Sequence, residues 1–360
     1  MCSWTQIAGQ ETRLVRVETH KKLKVSKGGQ IKSEQVPTRA FYRGLQVCGL
    51  RWVCPCCTIK KSEGCRAEMN AALAEARKRG LQPVMLTLTA RHKRSMPLAE
   101  IQGKIASAEK RLKTTRHWKR LMKVATGGFA KAVEVTHGAN GWHPHFHIIL
   151  LLDCDSQPEA FEEVEELREA WLHELTCAGL DGTSKKAVEH SFDYCGAEEA
   201  GEYVSKWGAG EEMTLAGSKV GRGKGRTPWQ LLRDARVAET DAERMKAGAL
   251  WWEFIQVMKG VHQLRQSPAF RQLVKEYEPP KVPEQPDPVE TEVFSFGRKG
   301  DDGLWLFARH RRSRMQDKAE EGTVEDARQG VQEVMLDERT DEYLRKGDIP
   351  DPGPLIEHGE

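Results

Sequence analysis

The alternation of apolar and polar residues predicts an antiparallel β-sheet in the middle of this 360-residue chain. Residues 84–89 (VMLTLT), 129–136 (FAKAVEVT) and 143–152 (HPHFHIILLL) have the alternating or β-branched composition of strands. The last two are separated by residues 137–141 (HGANG), whose Asn-Gly pair is typical of hairpin turns. These two strands are therefore expected to pair side by side.

Helical periodicity surrounds the predicted strands. Segments with helix composition are 68–79, which stops at Gly80, 98–123, 158–177, the start of a helix at 198–207, a helix opened by Thr227-Pro228, and 249–259. Because strands and helices mix without regular βαβ alternation, the sequence predicts an α+β fold with a central antiparallel sheet and flanking helices.

Composition suggests four consecutive segments. Residues 1–40 are polar and basic and are expected to form a flexible or irregular arm, and residues 41–80 contain a cysteine cluster. Residues 81–276 hold the predicted sheet. Residues 277–360 combine a proline-rich linker with an acidic stretch short of core residues, which is expected to be a largely disordered tail.

Charge follows the same division. The net charge is only +3, but residues 277–360 contain 12 Lys and Arg against 21 Asp and Glu, a net of −9. Residues 1–276 contain 44 against 32, a net of +12. A basic body with an acidic tail is typical of proteins that contact phosphate backbones. Salt-sensitive DNA binding is therefore expected to map to residues 1–276.

Several classes of protein are excluded by hydropathy and cysteine usage. The longest apolar run is five residues (148–152), far below the roughly 20 that span a bilayer, and no apolar stretch follows the basic N-terminus as in a signal peptide. Five of the nine cysteines lie between Cys48 and Cys65, a clustering that favours metal over disulfides. We expect a cytoplasmic protein without a membrane partner.

The run WHPHFHIIL at residues 142–150 indicates a metal site. Residues two apart in a strand share a face, so His143, His145 and His147 point the same way. If the hairpin pairs Thr136 with His143, Glu134 lies opposite His145 on that face. Glu134, His145 and His147 would then bind a divalent metal, with Mg or Mn suited to the mixed donor set. His143 is either a third histidine ligand or a bystander.

The predicted helix at 198–207 carries a tyrosine with nearby charges. Glu199 and Tyr203 lie at i and i+4, on one helical face, and Lys206 follows Tyr203 by three residues. A tyrosine hydroxyl beside a metal-polarised phosphodiester can attack phosphorus and form a phosphotyrosine. The lysine would supply positive charge, and the glutamate would activate water. The alternative is an ordinary packing tyrosine with a solvated glutamate.

The cysteine cluster and two basic stretches suggest further binding. Cys54 and Cys57 form a CxxC, and with Cys48 and Cys65 they would make a zinc knuckle, unless Cys56 replaces one of them or all are simply reduced thiols. Residues expected to contact DNA backbone, rather than merely being solvated, are Arg51, Lys60, Lys61, Lys219, Arg222, Lys224 and Arg226. Trp52 would either stack on a base or fill the core of the knuckle.

Together these motifs resemble the HUH endonucleases and, more narrowly, the replication initiators (Rep proteins) of rolling-circle plasmids. The resemblance covers much of residues 48–265. It rests on CGLRWVCPCC (48–57), VMLTLT (84–89), EVTHGANGWHPHFHIILL (134–151), EYVSKWG (202–208) and GRTPWQLL (225–232).

The resemblance implies a role for each motif. It implies an HUH-like antiparallel sheet with a metal held by His145 and His147. It also implies that Tyr203 nicks one strand at the plasmid's double-strand origin and stays linked to the 5′ phosphate, with Lys206 as the family's lysine and Glu199 as the hydrolytic glutamate of some members. Such initiators use a host helicase and polymerase, and the chain has no GxxxxGK[ST] loop for a motor of its own.

Two alternatives to this function stay open. A transposase or a relaxase would use the same chemistry. A protein of a different class, a zinc-containing DNA-binding regulator, would hold only a structural metal in its histidines. The sequence leaves the oligomeric state undetermined.

Overall fold

The computed structural model describes residues 5–18, 20–25, 31–196, 225–279, 288–298 and 311–336. The chain falls into two compact units, one formed by residues 49–279 and the other by 1–48 together with 280–360. Both contain antiparallel sheets and helices, which confirms the predicted α+β class. None of the helices described is long and apolar enough to cross a bilayer.

The strands of the described residues, in chain order, are β1 (Glu11–Val17), β2 (His20–Val25), β3 (Ile31–Val36), β4 (Arg39–Arg43), β5 (Gln82–Leu88), β6 (Phe129–Gly138), β7 (Gly141–Leu152), β8 (Phe192–Cys195), β9 (Leu264–Gln266) and β10 (Glu290–Arg298). The helices are α1 (Pro55–Lys78), α2 (Leu98–Leu112), α3 (Arg116–Val124), α4 (Gln157–Glu165), α5 (Leu167–Cys177), α6 (Lys185–His190), α7 (Pro228–Val237), α8 (Asp241–Met258), α9 (Pro268–Glu276), α10 (Arg312–Glu320) and α11 (Val324–Leu336).

The sheet of the larger unit has the strand order β8-β5-β7-β6-β9 and buries both of its faces. Residues 146, 148 and 150 of β7 pack into a core formed with α2, α3 and α5, whereas Ile149 and Leu151 pack on the other face against α1 and α9. The two-residue period of the strand thus divides one apolar run between two layers of helices.

The predicted hairpin of β6 and β7 is confirmed, with a shorter turn. Gly138 pairs with Gly141, so only two residues connect the strands. Gly141 has φ +85°, and a Cβ atom there would come within 2.5 Å of the Arg94 carbonyl oxygen. Glycine therefore allows both the turn and the close approach of the loop that follows β5.

Two of the helices expected from the sequence are each divided into two shorter helices. The expected helix 98–123 is broken between α2 and α3, because the Thr115 hydroxyl accepts a hydrogen bond from Trp118 N (3.2 Å) and caps a new helix. The expected helix 158–177 is likewise two helices, α4 and α5. The helix opened by Thr227-Pro228 is confirmed, with a capping box between Thr227 and Gln230.

Helix α1 begins well before the predicted 68–79, with Pro55 in its first turn, and ends at the predicted stop, where Gly80 has φ +74°. Cys57 and Cys65 are buried on this 24-residue helix. The expected knuckle-like element at 41–80 is therefore, from residue 55 onward, a long helix packed on the sheet.

The smaller unit contains strands and helices in segments where the sequence predicted an irregular arm and a largely disordered tail. Strand β1 pairs with β4 on one side and with β10 on the other, and α10 and α11 pack on this sheet. Arg16, 2% exposed, donates hydrogen bonds to carbonyl oxygens at the end of α10, including that of Glu321 (2.6 Å). Apolar positions such as Phe296, Met315 and Val331 were too widely spaced in an acidic sequence to indicate a core.

Candidate active site

A carboxylate and two imidazoles meet on one face of the β6–β7 hairpin. The register pairs Glu134 with His145 and Thr136 with His143, as predicted. Glu134 Oε2 lies 3.4 Å from His145 Nε2 and 3.2 Å from His147 Nε2. One ligand atom from each residue lies within 4.8 Å of the others, so these three side chains could hold one metal ion.

The second nitrogen of each of these histidines has a polar contact that orients the ring. His145 Nδ1 lies 3.3 Å from the carbonyl oxygen of His143, and His147 Nδ1 lies 3.0 Å from the hydroxyl of Thr87 on β5. With a metal ion bound, protons on Nδ1 would leave the Nε2 lone pairs of both rings available to that ion. Such outer contacts fix the ring orientation of metal-binding histidines.

Charge within this group favours an ionised carboxylate. Partial burial raises the pKa of Glu134, but hydrogen bonds with His145 and His147 outweigh it and hold the pKa well below its ordinary value. Burial lowers the pKa of His147, whereas for His145 the contact with Glu134 outweighs burial and raises the pKa. An anionic carboxylate beside an imidazole that burial keeps neutral is a donor set that fits a divalent cation.

His143 lies on the same face but outside this group of three. Its Nε2 is 3.3 Å from the Thr89 hydroxyl, and its ring neighbours those of His92 and His145. Burial, followed by the two neighbouring histidines, lowers its pKa to about 4. Of the two roles left open by the sequence, the geometry favours the bystander.

Two of the four predicted zinc ligands, Cys54 and Cys57, lie together at the start of α1 in the larger unit, whereas Cys48 belongs to the other unit. Cys65 follows Cys57 by eight residues on α1, about 12 Å along the axis at about 1.5 Å per residue. Its Sγ instead lies 3.5 Å from Arg51 Nη1, and burial raises the pKa of its thiol. Cys65 is therefore not placed with Cys54 and Cys57.

The residues expected to contact DNA have different surroundings. Arg51 and Lys61 line a groove of about 800 Å³ that also contains Arg265 and Arg271. Trp52 belongs to the main core, since its Nε1 donates to the Val261 carbonyl (2.7 Å). Lys60 lies on α1, and its side chain is outside the description.

Arg226 forms an ion pair with Asp234 (2.8 Å), which offsets its charge. This pairing makes it a weaker candidate for contact with DNA than an unpaired arginine would be.

Tyr203, Glu199 and Lys206, with Lys219, Arg222 and Lys224, lie in residues 197–224, outside the described residues. Both flanks of that segment are attached to the sheet that bears Glu134, His145 and His147. Before it, Cys195 pairs with Met85 on β5, and after it the backbones of Arg226 and His137 exchange two hydrogen bonds. Tyr194, just upstream, packs its ring on Phe161 (5.1 Å), in keeping with a structural role.

The sequence reasoning missed Thr87 and Thr89 as parts of the site. Both belong to the quoted VMLTLT segment, and their alternation with Leu86 and Leu88 places them on one face of β5. The signal that would have identified them is the pairing of β5 with β7, which sets Thr87 opposite His147. Pairing between strands that are not joined by a hairpin cannot be read from local sequence.

An antiparallel sheet with a His-hydrophobic-His metal group defines the class as an α+β protein with a candidate divalent-metal centre. Residues 40–172 match the family model described as Replication protein, and this confirms the resemblance to plasmid replication initiators of the Rep type. The match covers less than half of the chain, and it includes Glu134, His145 and His147.

Two curated relatives match the chain, and the name of the first agrees with this family. The chain is 25% identical over 282 residues to "Protein rep" of Streptomyces lividans, covering 62% of this chain and 61% of the relative. It is 32% identical over 135 residues to a "Neomycin resistance protein" of Streptomyces cyanogenus, covering 30% and 31%. The chain thus spans about three fifths and about a third of these two relatives. No solved structure matches.

Proposed function

We propose that this protein starts rolling-circle replication of a plasmid by nicking one DNA strand at the double-strand origin. The convergence of His145 Nε2 and His147 Nε2 on the Glu134 carboxylate is the observation that carries the proposal. It supplies the metal-binding half of an HUH endonuclease site, on a chain related to replication initiators.

Glu134, His145 and His147 would hold the metal, Mg or Mn. When bound, such an ion supplies Lewis-acid polarisation of a phosphodiester. The Tyr203 hydroxyl attacks phosphorus and loses its proton, the bond from phosphorus to the 3′ oxygen breaks, and that oxygen leaves as a 3′ hydroxyl after taking up a proton. The product is a phosphotyrosine joined to the 5′ end, and it keeps the energy of the broken bond without ATP.

Lys206 and Glu199 serve the later steps in this proposal. Lys206 provides positive charge near the phosphate or eases deprotonation of the phenol. The protein later cleaves and rejoins the displaced strand. Glu199, four residues before Tyr203 in the sequence, activates water so that the last phosphotyrosine is hydrolysed.

The proposal includes partners, a second metal and a location. Plasmid origin DNA, single-stranded at the nick, is the substrate, and a host helicase and polymerase displace and copy the strand in the bacterial cytoplasm. Cys54 and Cys57 would hold a structural zinc whose other ligands are open. Arg51, Lys60, Lys61 and the basic loop from Lys219 to Arg226 would contact the DNA backbone.

If Glu134, His145 and His147 (the His-Glu group) form the active centre, a change that abolishes metal binding should also abolish nicking. We expect His145→Ala to abolish Mn²⁺ binding in calorimetry at this site and Mn²⁺-dependent nicking of supercoiled origin plasmid. His117→Ala, a change of a histidine on α3 that belongs to none of the candidate metal groups of the described residues, serves as the control and should leave both intact. Undiminished nicking by the His145→Ala protein would contradict the proposal.

A further inference from the structure

A groove of about 630 Å³ opens beside the candidate metal centre. One wall is the loop that follows β5 (residues 89–94), another is the β6–β7 turn, and a third contains α6 residues Lys186 and His190. His143 and Thr89 border the groove. The ring of His143 neighbours that of His145, and the hydroxyl of Thr89 lies 3.3 Å from His143 Nε2. The groove therefore begins where a reacting phosphodiester would lie.

Positive charge lines this groove, and no acidic side chain is among its lining residues. Arg91 pairs with Asp181 (3.0 Å) and donates to the Ser184 hydroxyl (2.9 Å), which ties the loop to the start of α6. Arg94 and Lys186 are exposed, and among the residues described neither has a carboxylate within 4.0 Å. Two unneutralised cations thus face each other across a braced groove.

A buried, unpaired nitrogen gives independent evidence of a ligand. His92 Nδ1 lies 3.1 Å from the Ala90 carbonyl oxygen, to which it donates, so Nε2 is left over. Nε2 is buried and has no hydrogen-bond partner in the described part of the chain. Because a buried polar atom without a partner is costly, a small turn of the His92 ring toward the groove would let a group of a bound molecule satisfy it.

The adjoining groove has mixed charge. It shares Arg94 and the turn residues, and its far side carries Asp234, Glu239 and Glu243 beside Arg226 and Lys246. A polyanion entering at the metal centre is therefore attracted more strongly into the first groove than into the second. The volume of the first is in the range of about 300–1,000 Å³ that takes a small ligand, so it suits one or two nucleotides of a single strand.

We propose that this groove binds the single-stranded DNA next to the scissile phosphate, with Arg94 and Lys186 on backbone phosphates and His92 Nε2 on a nucleotide group. The proposal rests on the proposed function and adds the path of the strand. It assigns contact with DNA to residues outside the basic stretches recognised from sequence.

The test measures binding of a fluorescein-labelled 12-nucleotide deoxythymidine oligomer (dT12) to the full chain by fluorescence anisotropy, with EDTA present to prevent cleavage. We expect the double change Arg94→Ala and Lys186→Ala to raise the Kd on the order of tenfold at 0.1 M salt. The slope of log affinity against log salt should fall by about 1.4, roughly 0.7 for each lost phosphate contact.

The matched control is the double change Lys93→Ala and Lys185→Ala, which removes the same charge from neighbouring residues that do not line the groove. We expect its Kd to stay within about twofold of the unmodified protein. Equal weakening by both double variants, or an unchanged salt slope in the first, would overturn the proposal. His92→Phe, which keeps a ring but loses Nε2, should raise the Kd about threefold with no change in slope, and an unchanged Kd would refute the role of His92.

Failure of this proposal is distinguishable from failure of the proposed function. If Arg94 and Lys186 contribute nothing to dT12 binding while the protein still forms a tyrosine adduct in Mn²⁺, only the groove is wrong. If dT12 binds as expected but no adduct forms, the groove stands and the nicking chemistry is wrong.

Discussion

His147 has a polar contact at each of its ring nitrogens, and the contact at Nδ1 is with the hydroxyl of Thr87. Nε2 faces Glu134, while Nδ1 contacts the Thr87 hydroxyl at 3.0 Å. For His145, the contact at Nδ1 is with the backbone carbonyl of His143, which a side-chain substitution cannot remove. Thr87 is therefore the side chain through which the orientation of the metal-binding group can be altered without touching a ligand.

Thr87→Val should lower the affinity of the site for Mn²⁺ by about 10- to 100-fold, the usual cost of losing an outer contact of a metal-binding histidine. Calorimetric titration of Mn²⁺ into the purified protein measures this directly. Thr87→Ser keeps the hydroxyl and is the matched control, with an affinity expected within a few-fold of the original. Equal affinities for the Val and Ser proteins would show that the contact does not orient His147.

Sequence reasoning reached the ligands because their geometry is local. The Asn-Gly turn and the two-residue period together fix Glu134 opposite His145, within one hairpin. Thr87 enters from β5, some 60 residues away, and Cys65 is separated from Cys57 by the rise of a helix that began earlier than its composition indicated. Those positions depend on tertiary pairing and on helix ends, which short patterns specify poorly.

Helix α2 lies on the sheet over a buried ion pair. Glu109 Oε2 is 3.0 Å from Nζ of Lys131 on β6, and the two side chains are 9% and 8% exposed. Lys113 also pairs with Glu109, and Lys131 lies over the Phe146 ring. Burial raises the pKa of Glu109, but the two lysines outweigh it and the net pKa is lowered.

Glu109→Gln should lower the free energy of unfolding by about 3–5 kcal/mol at pH 7, because it leaves Lys131 buried without its carboxylate. The control is Glu100→Gln on the same helix, which breaks the exposed pair with Lys104 and should cost less than about 1 kcal/mol. Urea unfolding measures both. Similar losses in the two variants would contradict the importance of burial.

The stability difference between the unmodified and Glu109→Gln proteins should depend on pH, because the fold lowers the pKa of Glu109. A carboxyl whose pKa is lower in the folded state contributes its full stabilisation at pH values above its unfolded-state pKa, about 4.3. This contribution is lost as the pH falls toward and through the folded-state pKa. The gap in stability between the unmodified and Glu109→Gln proteins should therefore narrow below about pH 4. A gap that stays constant down to pH 3 would contradict the lowered pKa.

At the scale of the whole molecule, the two ends of the chain share one unit. Residues 1–48 carry a net charge of +6 and residues 280–360 a net of −8, so this unit is −2 and the unit of residues 49–279 is +5. Charges meet directly within the shared sheet, where Arg13 lies 3.6 Å from Glu292 and Arg43 pairs with Glu290. The acidic C-terminal sequence thus neutralises the basic N-terminal strands of its own unit.

Sequence composition could not reveal this arrangement, because it averages over neighbours along the chain. Strand β1 has one of its two pairing partners, β10, more than 270 residues away. The acidic composition of residues 277–360, with few apolar residues, is typical of a disordered tail. Phe296 and Met315 are nevertheless fully buried in a core that also contains Leu14.

A fragment of residues 1–279 should therefore lose the fold of its N-terminal strands, while 49–279 alone should unfold cooperatively. Removing residues 280–360 exposes the apolar side of Leu14 and Ala40 and takes away the carbonyl groups that Arg16 contacts. Limited proteolysis should cleave within β1 (11–17) or β4 (39–43) in the fragment and not in the full chain. Protection of these two strands in both would contradict the shared unit.

The most direct test of the central claim is nicking by a Tyr203→Phe protein. In Mn²⁺, the unmodified protein should nick supercoiled origin plasmid and form a covalent protein–DNA adduct, and Tyr203→Phe should do neither, because no nucleophilic hydroxyl remains. Tyr194→Phe is the matched control and should retain both activities, since Tyr194 packs against Phe161. A Tyr203→Phe protein that still nicks the plasmid and forms the adduct would contradict the account.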